Sequence, residues 1–375
     1  MMIDRIRPSI GPVLTSSILL FALSGCSSSS DWHSSSSATS GVDSAGFQMT
    51  STSGFYGETD SMFWVDGEDE GQGSLSQVTF ASEGSDFDPE IDSTGSFLVY
   101  ASTQHATQSD IYRKKVDGKT ITRMTFDPAD DAMPTISPDG RWIAFASNRA
   151  GNWDIWMMPA EGGPATQMTF DADHELHPSF SPDGTELTYC RRNARSNHWE
   201  IWSYTIDSPG TRTYVCDGLF PQWSPNEADS MILFQKARQR GSQFFSIWTV
   251  QFKDGSCSNP TEIAAASNAA IMHPSWSPDG KFICYCQVAD PEGNSAAWPV
   301  QADVWMVSLD GSGQAPLTTG SFRNMQPNWS KDGRIYFVSD RGGEDVIWSV
   351  PAATDGTSDV SQGVFVDATA PARED

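Results

Sequence analysis

The stretches that decide the fold are MPTISPDG at 133–140, HPSFSPDG at 177–184 and HPSWSPDG at 273–280, three copies of one pattern. Degenerate copies are DPEIDSTG at 88–95, FPQWSPN at 220–226 and QPNWSKDG at 326–333. The turn serines Ser137, Ser181, Ser224 and Ser277 follow one another at intervals of 44, 43 and 53 residues. This period is about the length of a four-stranded propeller blade, so the sequence predicts six such units.

Two further signatures recur inside the units. One ends in a large aromatic residue and occurs as Asp110-Ile-Tyr112, Asp154-Ile-Trp156, Glu200-Ile-Trp202, Ser246-Ile-Trp248, Asp303-Val-Trp305 and Ile347-Trp348. The other is Met-Thr-Phe, at 124–126 and 168–170, with Leu317-Thr318 as a shorter copy. We expect the repeated Tyr or Trp to fill the space between neighbouring blades.

The local chemistry of each unit favours short strands joined by tight turns. In Ser-Pro-Asp-Gly, Pro presets φ, Asp accepts local backbone hydrogen bonds and Gly tolerates positive φ. The segment QVTF at 77–80 matches QMTF at 167–170 but precedes the first unit, and no copy follows Trp348. We therefore predict an all-β fold, a six-bladed β-propeller closed by an N-terminal strand that leaves no exposed sheet edge.

The start of the chain is typical of a secreted lipoprotein. Arg5 and Arg7 precede the apolar stretch 10–23, which is too short for a transmembrane helix and indicates a signal peptide. Leu23-Ser24-Gly25-Cys26 resembles the bacterial lipobox, which implies cleavage before Cys26 and lipidation of its sulfur. We divide the chain into a signal peptide (1–25), a lipidated Cys and Ser/Gly/acidic tether (26–74), the propeller (75–350) and a C-terminal tail (351–375).

Charge and cysteine content limit the partners. The formal net charge of −25 argues against nucleic acid or an anionic membrane surface as the main partner, whereas basic proteins and Ca²⁺ remain compatible. After Cys26 there are five more cysteines, an odd number that leaves at least one thiol unpaired and the pairing open. Cys190 and Cys286 occupy repeat positions where other units have Ala, so we expect small buried apolar residues there.

The repeats resemble the WD40-like β-propeller repeats of the TolB family of the periplasmic Tol-Pal system. The resemblance rests on Pro-x-Trp-Ser-Pro-Asp-Gly and Asp-Ile-Trp and covers about 77–350. It implies a non-enzymatic binding propeller of the cell envelope, with a partner such as a peptidoglycan-associated lipoprotein. The lipobox adds an expected lipid anchor for a periplasmic envelope protein. Ser27 after the Cys favours the outer membrane, the face of that membrane is left open, and no residue is assigned to catalysis.

Two sets of loops are expected to share one face of the propeller: those that lead into the inner strands and those between second and third strands. The first set is acidic, and the second set concentrates cations. We predict that this face holds the protein partner, because repeat proteins often place their insertions on the binding face. The predicted partner-binding residues are Arg149, Arg191, Arg192, Arg195, Lys236, Arg238, Arg240 and Arg341.

The residues before the repeated Pro are expected to lie at the channel mouth. They are Asp88, Met133, His177, Phe220, His273 and Gln326. Related repeats occur in oligogalacturonate lyases, which use a metal held by His and Gln. The alternative function is therefore a metal-dependent, carbohydrate-active lyase with a metal at His177, His273 and Gln326, whereas the first interpretation needs no cofactor. A Ca²⁺ ion held by the acidic mouth is a further possibility.

Overall fold

A computed structural model of the protein describes residues 75–81, 83–208, 210–238, 244–289, 299 and 301–352, and every regular element among them is a β-strand. Outside these residues lie the predicted signal peptide and tether with Cys26, the predicted binding residue Arg240, and the predicted tail after 352. The described part contains no helix long and apolar enough to cross a membrane.

The strands form six four-stranded sheets; in five of them the order is sequential, and in the sixth the N-terminal strand β1 is outermost. Blade 1 contains β2 (Asp86–Ile91), β3 (Phe97–Ser102), β4 (Asp110–Lys115) and β5 (Ile121–Arg123). Blade 2 contains β6 (Asp131–Ile136), β7 (Trp142–Ser147), β8 (Asp154–Pro159) and β9 (Thr166–Gln167). Blade 3 contains β10 (Glu175–Phe180), β11 (Glu186–Asn193), β12 (His198–Thr205) and β13 (Arg212–Asp217). Blade 4 contains β14 (Leu219–Trp223), β15 (Met231–Ala237), β16 (Phe245–Lys253) and β17 (Ser256–Ala264). Blade 5 contains β18 (Ala269–Trp276), β19 (Phe282–Ala289), β20 (Ala302–Ser308) and β21 (Ala315–Pro316). Blade 6 contains β22 (Asn324–Trp329), β23 (Arg334–Ser339), β24 (Val346–Pro351) and β1 (Ser76–Gln77).

The N-terminal strand closes the ring as predicted. β1 pairs with β24 in the register Ser76↔Ser349 and Gln77↔Trp348. Thr79 continues this contact, since its Oγ1 accepts the backbone N–H of Ile347 at 3.0 Å. The two ends of the propeller are thus joined within one sheet, and the six-bladed, all-β prediction is confirmed.

The Met-Thr-Phe signature has a structural cause. In blades 1, 2 and 5, the Thr hydroxyl accepts a backbone N–H from the third strand at 2.9 Å: Ile111 to Thr125, Ile155 to Thr169 and Val304 to Thr318. Thr79 makes the same bond in blade 6. The short outermost strand is therefore held by a side-chain bond where the ladder ends.

The Ser-Pro-Asp-Gly turns are held by the bonds that their residue types predict. Ser137 Oγ donates to Asp139 at 2.6 Å and accepts the N–H of Trp142 at 2.9 Å, and Gly140 has φ +72°. The turns at 181–184 and 277–280 repeat these bonds. The Asp residues of these turns are thus turn-forming groups.

The interiors of the blades are apolar, and the repeated aromatic residue packs against them. Tyr112 is buried, whereas the equivalent Trp156, Trp202, Trp248, Trp305 and Trp348 are partly buried against the apolar clusters. The five Trp are less buried than Tyr112, and cations lie over four of them.

Candidate binding surfaces: the loop face and the axial cavity

The inner strands all carry a bulge at the residue before the repeated Pro. The strand register shifts at this point in every blade, and the six residues there have φ between 51° and 55°. These residues, which we call the axial ring, are Asp88, Met133, His177, Phe220, His273 and Gln326. None is a glycine, so each sits in a sparsely populated backbone region that the surrounding fold must maintain.

One half of the axial ring is joined by hydrogen bonds. Gln326 accepts the backbone N–H of Asp88 at 3.0 Å, and its amide donates to the Asp88 carboxyl. The Asp88 carboxyl in turn accepts the backbone N–H of Met133 at 3.1 Å. A side chain of one blade therefore satisfies the bulged amide of the next blade, across the point where the ring closes.

The other half of the axial ring is aromatic. Phe220 contacts both imidazoles, with ring centroids 3.7 Å from His177 and 4.5 Å from His273. His273 Nδ1 lies 3.2 Å from the Sγ of Cys286. Burial lowers the pKa of His273 to about 3 and that of His177 well below its usual range, so both imidazoles are neutral at physiological pH.

An axial cavity of about 240 Å³ extends from the ring toward the Ser-Pro-Asp-Gly turns. Its second tier consists of the residue after each repeated Pro, and all six are polar: Glu90, Thr135, Ser179, Gln222, Ser275 and Asn328. Bulky residues follow in the next tier, among them Trp223, Trp276 and Trp329. Pro138 and Pro225 of the turns also line the cavity, so it extends from the axial ring to the end of the propeller that carries these turns.

Two carboxyl groups on one side of the axial cavity are desolvated. Burial raises the pKa of Asp88 to about 7 and that of Glu90 to about 8. Asn328 donates its amide to Glu90 and accepts the N–H of Ile91 at 3.1 Å. At neutral pH this wall presents mostly neutral hydrogen-bonding groups, so a cation would bind only by displacing protons.

The three residues of the lyase alternative, His177, His273 and Gln326, all contact other members of the axial ring. By blade order the Phe220 ring stands between His177 and His273 and contacts both, and Gln326 is hydrogen-bonded to Asp88. Within the described residues no group of three or more His, Cys, Asp or Glu side chains is arranged to hold a metal ion.

On the opposite side, the loops that lead into inner strands and the loops between second and third strands lie together, and we call this surface the loop face. Arg149 shows how its charges are arranged. Two hydrogen bonds, 2.8 and 2.7 Å long, join its guanidinium to Asp131, whose side chain is 0% exposed. The same guanidinium lies 4.8 Å from the centre of the Trp156 ring. The predicted acidic mouth and basic arc thus neutralise each other here.

Several other predicted cations are engaged in the same way. Arg191 pairs with Asp171 at 3.0 Å and with Glu200 at 3.4 Å, and stacks over Trp202 at 4.5 Å. Lys236 lies 5.7 Å from the Trp248 ring, and Arg341 lies 5.5 Å from the Trp348 ring. A cation on the repeated Trp is therefore part of the blade architecture, and its use by a partner stays a prediction.

The remaining cations of the predicted set reach outward to different degrees. Arg192 bonds to Asn197 at 2.7 Å, and Arg238 donates to the carbonyl of Ala266 at 2.6 Å. Arg195 is exposed and forms no ion pair with the described residues. Arg195, Lys236 and Arg238 are therefore the predicted cations most accessible from solution.

The residues that we did not anticipate on the loop face are three phenylalanines. Phe80, Phe126 and Phe170 are 72, 72 and 73% exposed, more than any other large apolar side chain described. They occupy equivalent positions, just beyond the outermost strands of blades 6, 1 and 2. The signal was present in the Met-Thr-Phe signature, whose Thr holds the outermost strand and whose Phe lies on the surface, with Arg123 5.1 Å from the centre of the Phe126 ring.

Comparison with known proteins identifies the repeats. A sequence profile described as the TolB beta propeller domain matches residues 71–255. An uncharacterized protein of Agrobacterium fabrum is 39% identical over 84 residues, a match that spans 22% of this chain and 25% of that protein. The TolB-like recognition of the repeats is confirmed by the profile match.

Solved structures share the fold at low sequence identity. A presumed TolB from Agrobacterium tumefaciens superposes with a TM-score of 0.54 and 22% identity, covering 74% of this chain and 90% of its own. An oligogalacturonate lyase from Vibrio parahaemolyticus gives a TM-score of 0.52 and 15% identity, covering 76% and 94%. A TolB and a lyase thus share one architecture, so the fold alone does not decide between a binding protein and an enzyme.

Proposed function

Because this chain carries a β-propeller domain of the TolB type, we propose that it is a protein-binding module of the bacterial cell envelope. The partner is an envelope protein of the class of peptidoglycan-associated lipoproteins, and it binds to the loop face. The protein is held at the periplasmic side of the outer membrane by lipid on Cys26. The propeller itself catalyses no reaction.

The row of exposed phenylalanines is the observation that carries this proposal. Single large apolar side chains are common on the surface of soluble proteins, but a repeated set at equivalent positions favours an interaction site. A partner that buried one Phe would gain about 1.5–3 kcal/mol, which is about tenfold or more in Kd for each ring. Aromatic residues are common anchors of protein interfaces.

Exposed cations add a second element to the loop face. Arg195 and Lys236 are exposed in a protein of net charge −25. Their position favours a partner with acidic groups beside an apolar patch, and the surrounding negative charge would repel other acidic surfaces. Charge reversal of Arg195 should therefore slow association, whereas reversal of Arg191 would disturb its ion pairs with Asp171 and Glu200.

Affinity capture tests the binding function. Full-length tagged protein is incubated with detergent-solubilised envelope, and retained proteins are identified by mass spectrometry. We expect saturable enrichment of a peptidoglycan-associated or outer-membrane protein. The triple variant Phe80→Ser, Phe126→Ser, Phe170→Ser should lose it. Trp142→Ser is the matched control, because Trp142 is 40% exposed beside a Ser-Pro-Asp-Gly turn at the other end of the blade.

The results of the capture experiment test the binding surface and the binding function separately. Equal enrichment by wild type and the triple variant would remove the loop face from the proposal. Absence of any enriched protein would contradict the binding function itself.

The anchor is tested by fractionation. Wild type should sediment with outer membranes and carry diacylglycerol on Cys26, whereas Cys26→Ser should be released in soluble form or retained as a precursor. An acyl-free mature protein would refute the anchor.

A further inference from the structure

Cys216 and Cys257 lie on the outermost strands of neighbouring blades, β13 of blade 3 and β17 of blade 4. The Sγ of Cys257 donates to the carbonyl oxygen of Val215 at 3.0 Å. Peptide geometry puts that oxygen about 3 Å from the Cα of Cys216, so the sulfur of Cys257 lies within about 6 Å of that Cα. We propose that Cys216 and Cys257 form a disulfide bond that links blade 3 to blade 4.

Both thiols face the cleft between the two blades. Cys257 is directly opposite Phe252 on β16, and cross-strand partners share a face of the sheet. Phe252 is buried in an apolar cluster together with Val215 of blade 3, and Cys216 packs against the same cluster. A register shift next to Ile201↔Cys216 leaves Val215 as the bulged residue, which brings Cys216 toward blade 4.

The position of Cys257 is well determined by the hairpin that carries it. Asp254 and Gly255 have φ of 52° and 72°, as in a two-residue type I′ turn, and the register Lys253↔Ser256 follows. The hairpin tip lies against blade 3, since a Cβ on Gly255 would be 3.8 Å from the Cγ2 of Thr213. The proposal requires that rotation of the two side chains bring the sulfurs into disulfide geometry.

The other cysteines of the described residues are poor candidates. Cys190, Cys284 and Cys286 are each 0% exposed. Cys190 donates to the carbonyl of Leu176 at 3.3 Å, and Cys286 contacts His273. Cys257 is exposed and Cys216 half-buried, so an oxidant can reach this pair while the other three thiols are shielded by the folded blades.

The disulfide would protect the outer edge of blade 4, which is the most exposed sheet edge described. Seven of the nine residues of β17 are exposed, and this strand has an open outer edge. Tethering its start to β13 limits fraying of both strands. An unpaired edge strand is a site for unwanted strand pairing, which a crosslink restrains.

The chemistry is a thiol–disulfide exchange with a low-molecular-weight disulfide as oxidant. The Cys257 thiolate attacks that disulfide, forms a mixed disulfide and releases one thiol. Cys216 then loses its proton and attacks the Cys257 sulfur, which expels the second thiol. Two protein thiols are oxidised and one external disulfide is reduced to two thiols. Burial raises the pKa of Cys216 to about 12, so the closing step should be slow and base-dependent.

The test uses purified, reduced, natively folded protein incubated with oxidised glutathione. We expect an intact mass two hydrogens lower than that of the reduced protein and a Cys216–Cys257 peptide in a non-reducing digest. Below pH 9 the closing rate should rise about tenfold per pH unit. The unfolding midpoint should rise by about 5 °C or more and return on reduction.

Single variants supply the controls. In Cys216→Ser, Cys257 should retain glutathione, because no second thiol can displace it. In Cys257→Ser, the half-buried Cys216 should remain reduced because burial raises the pKa of its thiol, and the oxidant should leave the unfolding midpoint unchanged. Stable glutathione on wild-type Cys257, or a crosslink that involves another cysteine, would overturn the proposal.

Discussion

Replacement of Arg149 by Ala separates a structural role of the loop-face cations from a binding role. The change removes both hydrogen bonds to Asp131, whose carboxylate has no exposure to solvent. It also removes the contact with the Trp156 ring. Loss of one partner from a buried ion pair costs about 3–5 kcal/mol, because the other charge stays buried without compensation.

The expected loss for Arg149→Ala is therefore about 3–5 kcal/mol in the free energy of unfolding. The guanidinium is 16% exposed, so water can partly replace it and the lower end is expected. For a domain of this size the unfolding midpoint should fall by roughly 6–15 °C. Arg195→Ala is the matched control, and its effect should stay within about 0.5 kcal/mol, as for most surface substitutions.

The deficit of Arg149→Ala should also depend on pH. Burial raises the pKa of Asp131 despite the opposing hydrogen bonds from Arg149, and removal of Arg149 raises it further. A carboxyl whose pKa is higher in the folded than in the unfolded state binds more protons when folded, so stability falls as pH rises through that window. The deficit should thus be larger at pH 8 than at pH 5.

Urea unfolding followed by Trp fluorescence at both pH values measures these quantities for wild type, Arg149→Ala and Arg195→Ala. A loss below about 1 kcal/mol, or one equal in the two variants, would refute a structural role for the Arg149–Asp131 pair.

Two other substitutions test the account of the blades. Burial raises the pKa of Glu175 to about 8, and Arg212 approaches its carboxyl only to 3.9 Å. The stability of the wild type should therefore fall as pH rises through 8. In thermal unfolding at pH 9, Glu175→Gln should be more stable than the wild type. Equal pH dependence in both proteins would show that Glu175 does not titrate in the fold. Gly218→Ala should destabilise by about 1–3 kcal/mol, because its Cβ would lie 2.5 Å from the Phe234 ring. An unchanged urea midpoint would mean that the blade 3–4 junction relaxes without cost.

Repeat number, strand order, turns and ring closure were all predictable from the sequence. Each depends on contacts between residues close in the chain, such as Ser137 with Asp139, or on a signature repeated every 43 to 53 residues. The closing strand was visible because Thr79 lies in a displaced copy of the signature that holds Thr125 and Thr169. Features that depend on local hydrogen bonds or on periodicity can therefore be predicted from the sequence.

The candidate binding surfaces were only partly predictable. The axial ring was identified as a set, but its place in a cavity that reaches the turns and its division into a hydrogen-bonded and an aromatic half appear only when six inner strands converge. The second tier, which includes Glu90 and Asn328, was missed although the residue after each repeated Pro is polar. A polar residue in an alternating strand ordinarily indicates a side chain that faces the outer solvent, whereas here these side chains line the axial cavity.

Pairing between loops and between blades was decided by tertiary structure. The acids and cations of the loop face were predicted as two separate zones, yet Arg149 reaches Asp131 from a different loop of the same blade and neutralises it. Cys216 and Cys257 are 41 residues apart in the sequence and are brought together only by the packing of β17 against β13. The type and order of elements follow from short-range chemistry. Which charges, thiols and aromatic rings meet depends on distances between blades, and these exist only once the ring is closed.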